Sequence, residues 1–281
     1  EAVGSGIIID KSGYIVTNNH VVENSRQLIV TLAPGVETQA SLVGRYPVTD
    51  LAVIKIDPNS LPEACRNLTV AEFADSDQVR VGQLAVAIGN PLGLQFQRSV
   101  AAGVISGLDR DLQMSGVQLK LLQTDAAINS GNSGGALADQ NGKIIGINQA
   151  KIKLEGVEGM GFAIPSNAAR PVIEQLIQKG KVIRPFLGVS IELEITPQIN
   201  ARYNLGTDHG LYIGSVGAGS PAAKAGIRQG DILVQLAGED VTTFNEMQRI
   251  LYSKEIGEEI EAVIVRNRTR QTVTVKLAAT P

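Results

Sequence analysis

A serine set among glycines, Gly131-Asn132-Ser133-Gly134-Gly135, narrows the folds open to this chain. It closes the longer stretch Gln123-Thr124-Asp125-Ala126-Ala127-Ile128-Asn129-Ser130. A nucleophilic serine must bring its Oγ to a base while backbone N–H groups face the oxyanion that forms. Such a turn needs backbone angles that side chains resist, which favours glycine at Gly131, Gly134 and Gly135. The N–H groups of Gly131 and Ser133 are then the natural oxyanion donors. The same residues would also serve as a plain turn between two strands, so the reading depends on partners elsewhere.

The chain has two histidines, His20 and His209. A serine with a histidine base must use one of them. His20 follows the apolar run Tyr14-Ile15-Val16-Thr17-Asn18-Asn19, expected to be a strand that mounts the base rigidly. With an ordinary pKa of roughly 6.5, imidazole is mostly neutral and basic at pH 7. A carboxylate must then fix its tautomer. Asp50 fits best, at the mouth of Leu51-Ala52-Val53-Ile54-Lys55-Ile56, which reads as a half-buried strand. His209 sits in the polar loop Gly206-Thr207-Asp208-His209-Gly210 and is expected to have no catalytic role. The order His20, Asp50, Ser133 is that of chymotrypsin-type proteases.

On these residues the chain resembles the HtrA/Deg (DegP-like) family of serine proteases. Thr17-Asn18-Asn19-His20-Val21-Val22, Thr49-Asp50-Leu51-Ala52-Val53 and Gly131-Asn132-Ser133-Gly134-Gly135 carry the likeness. So do Ala87-Ile88-Gly89-Asn90-Pro91-Leu92-Gly93 and Gly161-Phe162-Ala163-Ile164-Pro165-Ser166. The wording is nearest the membrane-anchored Gram-positive branch with one PDZ domain. The resemblance implies that His20, Asp50 and Ser133 form a triad. It also implies a further strand, then a linker or anchor, ahead of Glu1, and hence an extracytoplasmic, membrane-anchored protein. Arg110, in the charged turn Asp109-Arg110-Asp111, would belong to a regulatory loop, and residues 90–97 to a gating loop.

The length of 281 residues favours two domains. A net charge of −3 gives no electrostatic footprint for nucleic acid. Cys65 is the one cysteine, which excludes an internal disulfide, and with only two distant histidines no metal site is expected. No Walker motif appears, and no cofactor is expected.

The fold is expected to be mostly β: a chymotrypsin-like double β-barrel protease domain over 1–182, then a PDZ domain over 183–281. Strand patterns at 6–9, 14–17, 27–33, 38–46 and 51–56 would build the first barrel. Those at 84–89, 99–108, 120–124, 135–138, 144–151 and 161–164 would build the second. A helix over 166–179 follows, with Ser166 as N-cap, a stripe of Val172, Ile173, Leu176 and Ile177, and Gly180 past its end. Residues 186–191, 210–216, 231–236, 262–265 and 272–277 read as strands, with helices over 220–226 and 243–253. Thr243 and Glu246 have capping-box spacing.

Ile128, Ile147, Asn148 and Ala150 are expected to line the substrate pocket. The resemblance puts Ala127 where trypsin-like enzymes carry an acid, so cleavage after medium apolar residues is expected. Residues 148–150 would pair with the substrate backbone as an added strand. In the second domain, Phe186-Leu187-Gly188-Val189 matches the carboxylate-binding loop of a permuted bacterial PDZ domain. Met247 and Leu251 would line its side-chain pocket, or simply belong to the core. Expected partners are unfolded proteins, C-terminal peptides and, in the full-length protein, further copies in a homotrimer or larger assembly. The activity expected is ATP-independent endoproteolysis in protein quality control. A peptide-binding chaperone or scaffold with proteolysis off at rest is the alternative.

Overall fold

The computed structural model describes residues 3–90, 99–114, 117–150 and 159–280. Of the loop expected to gate the site, 90–97, all but Asn90 lies outside the described residues. The chain divides into two compact units, Glu1–Val182 and Ile183–Pro281.

The first unit opens with β1 (Ile7–Ile8), β2 (Tyr14–Asn18), α1 (Asn19–Val22), β3 (Leu28–Ala33), β4 (Val36–Tyr46) and β5 (Leu51–Ile56). These five strands form one antiparallel sheet in the order β1-β2-β5-β4-β3. The strands β6 (Leu84–Gly89), β7 (Ser99–Met114), β8 (Val117–Thr124), β9 (Ala136–Ala138), β10 (Ile144–Gln149) and β11 (Gly161–Pro165) close into a six-stranded barrel. Helix α2 (Ser166–Lys179) follows.

Strand β5 is buried on both faces rather than half-buried. Leu51 and Val53 join the core that holds Phe162 and Leu176, while Ala52, Ile54 and Ile56 join a second core with Ile15 and Leu61. Its unbroken apolar run is the mark of such a two-sided strand. Strand β10 divides its side chains in the same way, Ile144 and Ile147 going to one core and Ile145 to another.

Helix α2 lays Val172, Ile173 and Leu176 into the core, and Gly180 ends it at φ +70°. The close approach of β4 needs glycine: a Cβ on Gly44 would lie 3.0 Å from Leu176 Cδ2. Ser166 does not cap this helix. It is the first helical residue, Pro165 holds the cap position, and the Ser166 Oγ donates to the Ala74 carbonyl at 2.8 Å.

Arg110 is not in a turn. It lies within the long strand β7, where the register slips between Gly107 and Arg110 and Asp109 takes φ +48°. The slip is a bulge, so the charged triplet continues the ladder instead of ending it. Arg110 Nε donates to Gln123 Oε1 at 2.8 Å across that ladder.

The second unit comprises β12 (Pro185–Phe186), β13 (Val189–Ile195), α3 (Pro197–Tyr203), β14 (Gly210–Val216), α4 (Pro221–Lys224), β15 (Ile232–Leu236), β16 (Glu239–Asp240), α5 (Phe244–Tyr252), β17 (Glu259–Arg266), β18 (Thr269–Lys276) and β19 (Ala278–Ala279). The main sheet runs β13-β14-β15-β17-β18, with β16 paired to β15, and β12 pairs β19 separately. The capping box of Thr243 and Glu246 is formed in full. Helix α3 has no counterpart among the expected elements, although Thr196 caps it and Pro197 opens it.

Leu176 is fully buried where α2 meets the sheet and barrel. Leu176→Ala is expected to destabilise the protein by about 2–5 kcal/mol, the ordinary range for emptying such a site. The midpoint of urea unfolding measures this, and a shift within error would show that the helix is not part of the cooperative core.

Candidate active site

His20 stands on the one-turn helix α1, which begins directly after Asn18 ends β2. The base is therefore mounted on a helical turn, not on the strand itself. Two amides hold that turn: Asn18 Nδ2 and the Asn19 N–H both donate to the Asp50 carbonyl, at 3.0 and 2.9 Å.

Asp50 closes a turn from Pro47 and takes φ +55°, a left-handed conformation that Asp tolerates better than most side chains. Only 2% of it is exposed. Its Oδ1 accepts the His20 N–H at 2.9 Å. Its Oδ2 accepts His20 Nδ1 at 2.6 Å and Gln149 Nε2 at 2.6 Å. Burial by itself raises the Asp50 carboxyl, but hydrogen bonds from His20 and Gln149 and the charge of His20 together hold it below the usual carboxylate value. An ionised Asp50 can only accept, so Nδ1 of His20 carries a proton, and in the neutral imidazole the lone pair is then on Nε2.

Ser133 is 4% exposed, in the turn between β8 and β9. Gly131 has φ +101° and Gly134 φ +80°, the backbone angles for which glycine was expected, whereas Gly135 has no positive φ and is needed for close packing, a Cβ there lying 2.9 Å from the Asn132 carbonyl oxygen. Other backbone groups of this turn are occupied, although the buried Asn132 Oδ1 has no partner among the described residues. Asn132 N–H donates to Asn129 C=O, Gly134 N–H to Asn148 C=O and Gly135 N–H to Asn132 C=O. Ser5 binds the carbonyls of Gly131 and Ser133. The N–H groups of Gly131 and Ser133 have no acceptor among the described residues. Ser133 Oγ accepts from the Ala150 N–H at 3.3 Å, and among the described residues it makes no hydrogen bond to the His20 ring.

The pocket residues separate. Ile128 is half-buried against Gly161, where a Cβ would lie 3.1 Å from its own Cβ. Ala150 is nearly buried beside Ser133. Ile147 is sealed in the core with Leu121 and Phe162 and offers no surface to a ligand. Asn148 is also committed inward. Its Nδ2 donates to Ala136 C=O at 2.9 Å, and its backbone N–H and C=O bond Gly135 and Gly134. Its main chain therefore has no edge left for a substrate strand, because the Ser133 turn already occupies it.

Two contributors were absent from the sequence reading. Gln149 is the second side-chain donor to Asp50, and Ser5 reaches the nucleophile turn from the start of the chain. Gln149 had a signal: Ile144-Ile145-Gly146-Ile147-Asn148-Gln149 places two amides in a wholly buried strand, where each needs partners. Among the described residues no group of histidine, cysteine and acidic side chains could hold a metal ion. His209 bonds its neighbour Asp208, away from these groups in sequence and in partners.

In the second unit Gly188 takes φ +87°, and a Cβ there would lie 2.8 Å from Ser220 Oγ. The carbonyls of Leu187 and Gly188 accept from Ala222 and Gly217, whereas their N–H groups have no acceptor among the described residues. Leu187, Val189, Met247 and Leu251 share one apolar cluster, and Phe186 pairs with Ala278 in the two-stranded ladder.

Comparison with known proteins adds the lineage. Residues 4–147 match the trypsin-like peptidase domain, and residues 185–277 match the PDZ domain. The chain is 44% identical over 288 residues to the serine protease Do-like HtrA of Bacillus subtilis, covering 98% of this chain and 63% of that protein. It is 40% identical over 280 residues to the periplasmic pH-dependent serine endoprotease DegQ of Escherichia coli, covering 99% of this chain and 59% of that protein. It thus spans about three fifths of these relatives' length. Among solved structures, the HtrA-type protease AlgW with decapeptide is 37% identical, with a TM-score of 0.82 over 99% of this chain and 83% of that one.

The lowered Asp50 pKa has a consequence for stability, whose sign follows from linkage. The unfolded chain takes up this proton at higher pH than the folded one, so the contribution is present above about pH 4 and is lost as pH falls through the folded value. Asp50→Asn is expected to flatten the acid limb of unfolding free energy against pH. Parallel limbs for the variant and its parent would show that Asp50 is not held ionised.

Proposed function

We propose that this chain, which belongs to the HtrA/DegP-like family of serine proteases, hydrolyses peptide bonds through Ser133, His20 and Asp50. One observation carries the assignment: the His20–Asp50 bond of 2.6 Å fixes the imidazole tautomer that a glycine-built serine turn requires. Nε2 of His20 takes the proton from Ser133 Oγ as the oxygen attacks the scissile carbonyl. The carbonyl oxygen gains the electron pair and is held by the N–H groups of Gly131 and Ser133. His20 then gives its proton to the departing amine as the C–N bond breaks. A water, deprotonated by the same nitrogen, hydrolyses the acyl-enzyme and restores Ser133. Asp50 stays ionised throughout and stabilises the imidazolium.

The substrates we infer are unfolded or damaged proteins, cut without ATP as part of protein quality control. Ile128 and Ala150 remain as pocket residues, and both are apolar. The acid nearest in sequence, Asp125, already accepts the Val104 N–H at 2.6 Å. That supports cleavage after Val, Leu or Ala rather than after Lys or Arg. The PDZ domain binds peptide, and we assign its site to Phe186, Leu187, Gly188 and Val189, with the unused N–H groups of Leu187 and Gly188 taking a terminal carboxylate. Met247 and Leu251 would floor the side-chain pocket.

DegQ is named periplasmic, which supports an extracytoplasmic place for this protein. Among the described residues no helix is long and apolar enough to cross a membrane. Anchoring is decided by whether the full-length protein sediments with membranes. Self-association as a trimer or larger has one support here. Leu84 pairs with Val104 and Ile88 with Val100 on the outer face of β6 and β7, and these four are 43, 37, 38 and 62% exposed. Arg110 retains a regulatory assignment only through its family position.

A second reading, a peptide-binding chaperone with proteolysis off at rest, has one observation in its favour. Ser133 Oγ bonds the Ala150 N–H instead of the His20 ring. Cleavage of unfolded β-casein by the parent and by Ser133→Ala separates the two. The parent is expected to cut after apolar residues, and Ser133→Ala to lose cleavage while keeping peptide binding. Equal cutting by both would remove Ser133 as nucleophile. Cutting that appears only when a C-terminal peptide is added would favour the resting-state reading.

A further inference from the structure

Ser5 lies far from the triad in sequence, yet four hydrogen bonds converge on it. Its N–H donates to the Ser133 carbonyl at 2.8 Å. Its hydroxyl donates to the Gly131 carbonyl at 2.6 Å and accepts from the Asn90 N–H at 3.0 Å. Its carbonyl accepts from Thr17 Oγ1 at 2.6 Å, on the strand that leads to His20.

Peptide units are planar, so holding a carbonyl holds the plane it belongs to. Ser5 grips the plane of Gly131 and Asn132 through the first carbonyl, and that of Ser133 and Gly134 through the second. The Ser133 N–H belongs to the plane between these two, and the Gly131 N–H to the plane just before them. Glycine at 131 leaves that backbone free to rotate, and nothing in the residue itself selects the donor-out orientation. Within the turn, Gly135 N–H holds the Asn132 carbonyl and so the plane of the Ser133 N–H, and Ser5 adds an anchor from outside on the plane at either side. Three glycines make room for the contact. A Cβ on Gly89 would lie 2.9 Å from Ser5 Oγ, one on Gly135 would lie 3.1 Å from Ser5 Cβ, and one on Gly134 would overlap the Ser5 carbonyl.

We propose that Ser5 is a positioning residue for the oxyanion donors, holding the peptide planes on either side of the Ser133 N–H so that it and the Gly131 N–H face the reacting carbonyl. The proposal rests on Ser133 as nucleophile. Ser5 touches no substrate atom in this scheme; it acts through the turn, and Thr17 ties it to the strand that leads to the base.

The test is Ser5→Ala, which removes the hydroxyl bonds and keeps the backbone ones. Three quantities are read: kcat and KM on a chromogenic peptide ending in Val, the inhibition constant of a matching peptide boronic acid, and the thermal midpoint. The boronate forms a tetrahedral adduct whose oxygen fills the oxyanion position. Loss of orientation should lower kcat about tenfold to hundredfold, short of the full loss of a donor. Boronate affinity should fall by a similar factor, with KM within about twofold and the midpoint nearly unchanged. Unchanged kcat and boronate affinity would overturn the proposal. So would a loss of activity that tracks a collapse of the midpoint, since that is a structural role. If Ser5→Ala does not fold, Thr17→Val decides by the same criteria with a smaller effect, because it removes the bond to the Ser5 carbonyl and leaves both bonds from Ser5 to the turn in place. Parent and Ser133→Ala run alongside: an inactive parent, or one matched by Ser133→Ala, sinks the nucleophile assignment itself, whereas an active parent matched by Ser5→Ala sinks only the role of Ser5.

Discussion

The Asp50 carboxylate is the point on which the first unit's chemistry depends. Three N–H donors from two parts of the fold meet it: the His20 backbone and ring from the sheet side, and Gln149 from the barrel. Its own carbonyl receives two more, from Asn18 and Asn19. A buried carboxylate is costly unless paired and hydrogen-bonded, and this arrangement supplies both. It also offsets the left-handed backbone at Asp50, which costs roughly 1–2 kcal/mol for an ordinary L-residue. The interaction that fixes the imidazole tautomer therefore also links the five-stranded sheet to the barrel. Orientation of the base and closure of the domain come from one set of contacts.

The parts of this fold that were legible in sequence are those whose physical cause is local. Gly131 and Gly134 need positive φ, Gly180 ends α2 in the left-handed region, and Thr243 and Glu246 satisfy each other within one turn. Each can be argued from a handful of neighbouring residues. What was missed depends on partners distant in the chain. Gln149 is paired with Asp50 across 99 positions, and Ser5 with Gly131 across 126. Burial on two faces misled the reading of β5, because an apolar run shows that a strand is covered but not by how many layers. At Arg110 a bulge hid a strand inside charged residues, which looks like a turn on composition alone. Helix α3 is a different kind of miss, since Thr196-Pro197 is a local start signal that a short, mixed-polarity segment did not reinforce.

Ile147 and Asn148 show why the lining of a pocket is hard to read from a sequence. A strand beside an active site has one set of side chains facing the core, and its backbone pairs on both edges. Periodicity alone does not say which edge faces the ligand. Here the nucleophile turn takes the Asn148 edge through Gly134 and Gly135, and the core takes Ile147. The strand is nonetheless central to the site. It supplies Gln149 to Asp50, the Asn148 amide to the Ala136 carbonyl and the Ala150 N–H to Ser133 Oγ.

In the function proposed, the two units would hold their ligands by the same physical route. A folded chain satisfies nearly all its buried backbone donors, so N–H groups left without an acceptor in an ordered, partly enclosed turn stand out. In the first unit these are Gly131 and Ser133, and in the second Leu187 and Gly188. In both turns a glycine with positive φ breaks the ladder, and the neighbouring carbonyls are occupied: by Ser5 in one, by Gly217 and Ala222 in the other. With the acceptors tied down, the free donors have a fixed direction and present a local positive potential to an anion. An oxyanion and a terminal carboxylate differ in lifetime but ask the same of the backbone. What holds the carbonyls would then be as much a part of each site as the donors, which brings Ser5 into the account of the first and Gly217 and Ala222 into that of the second.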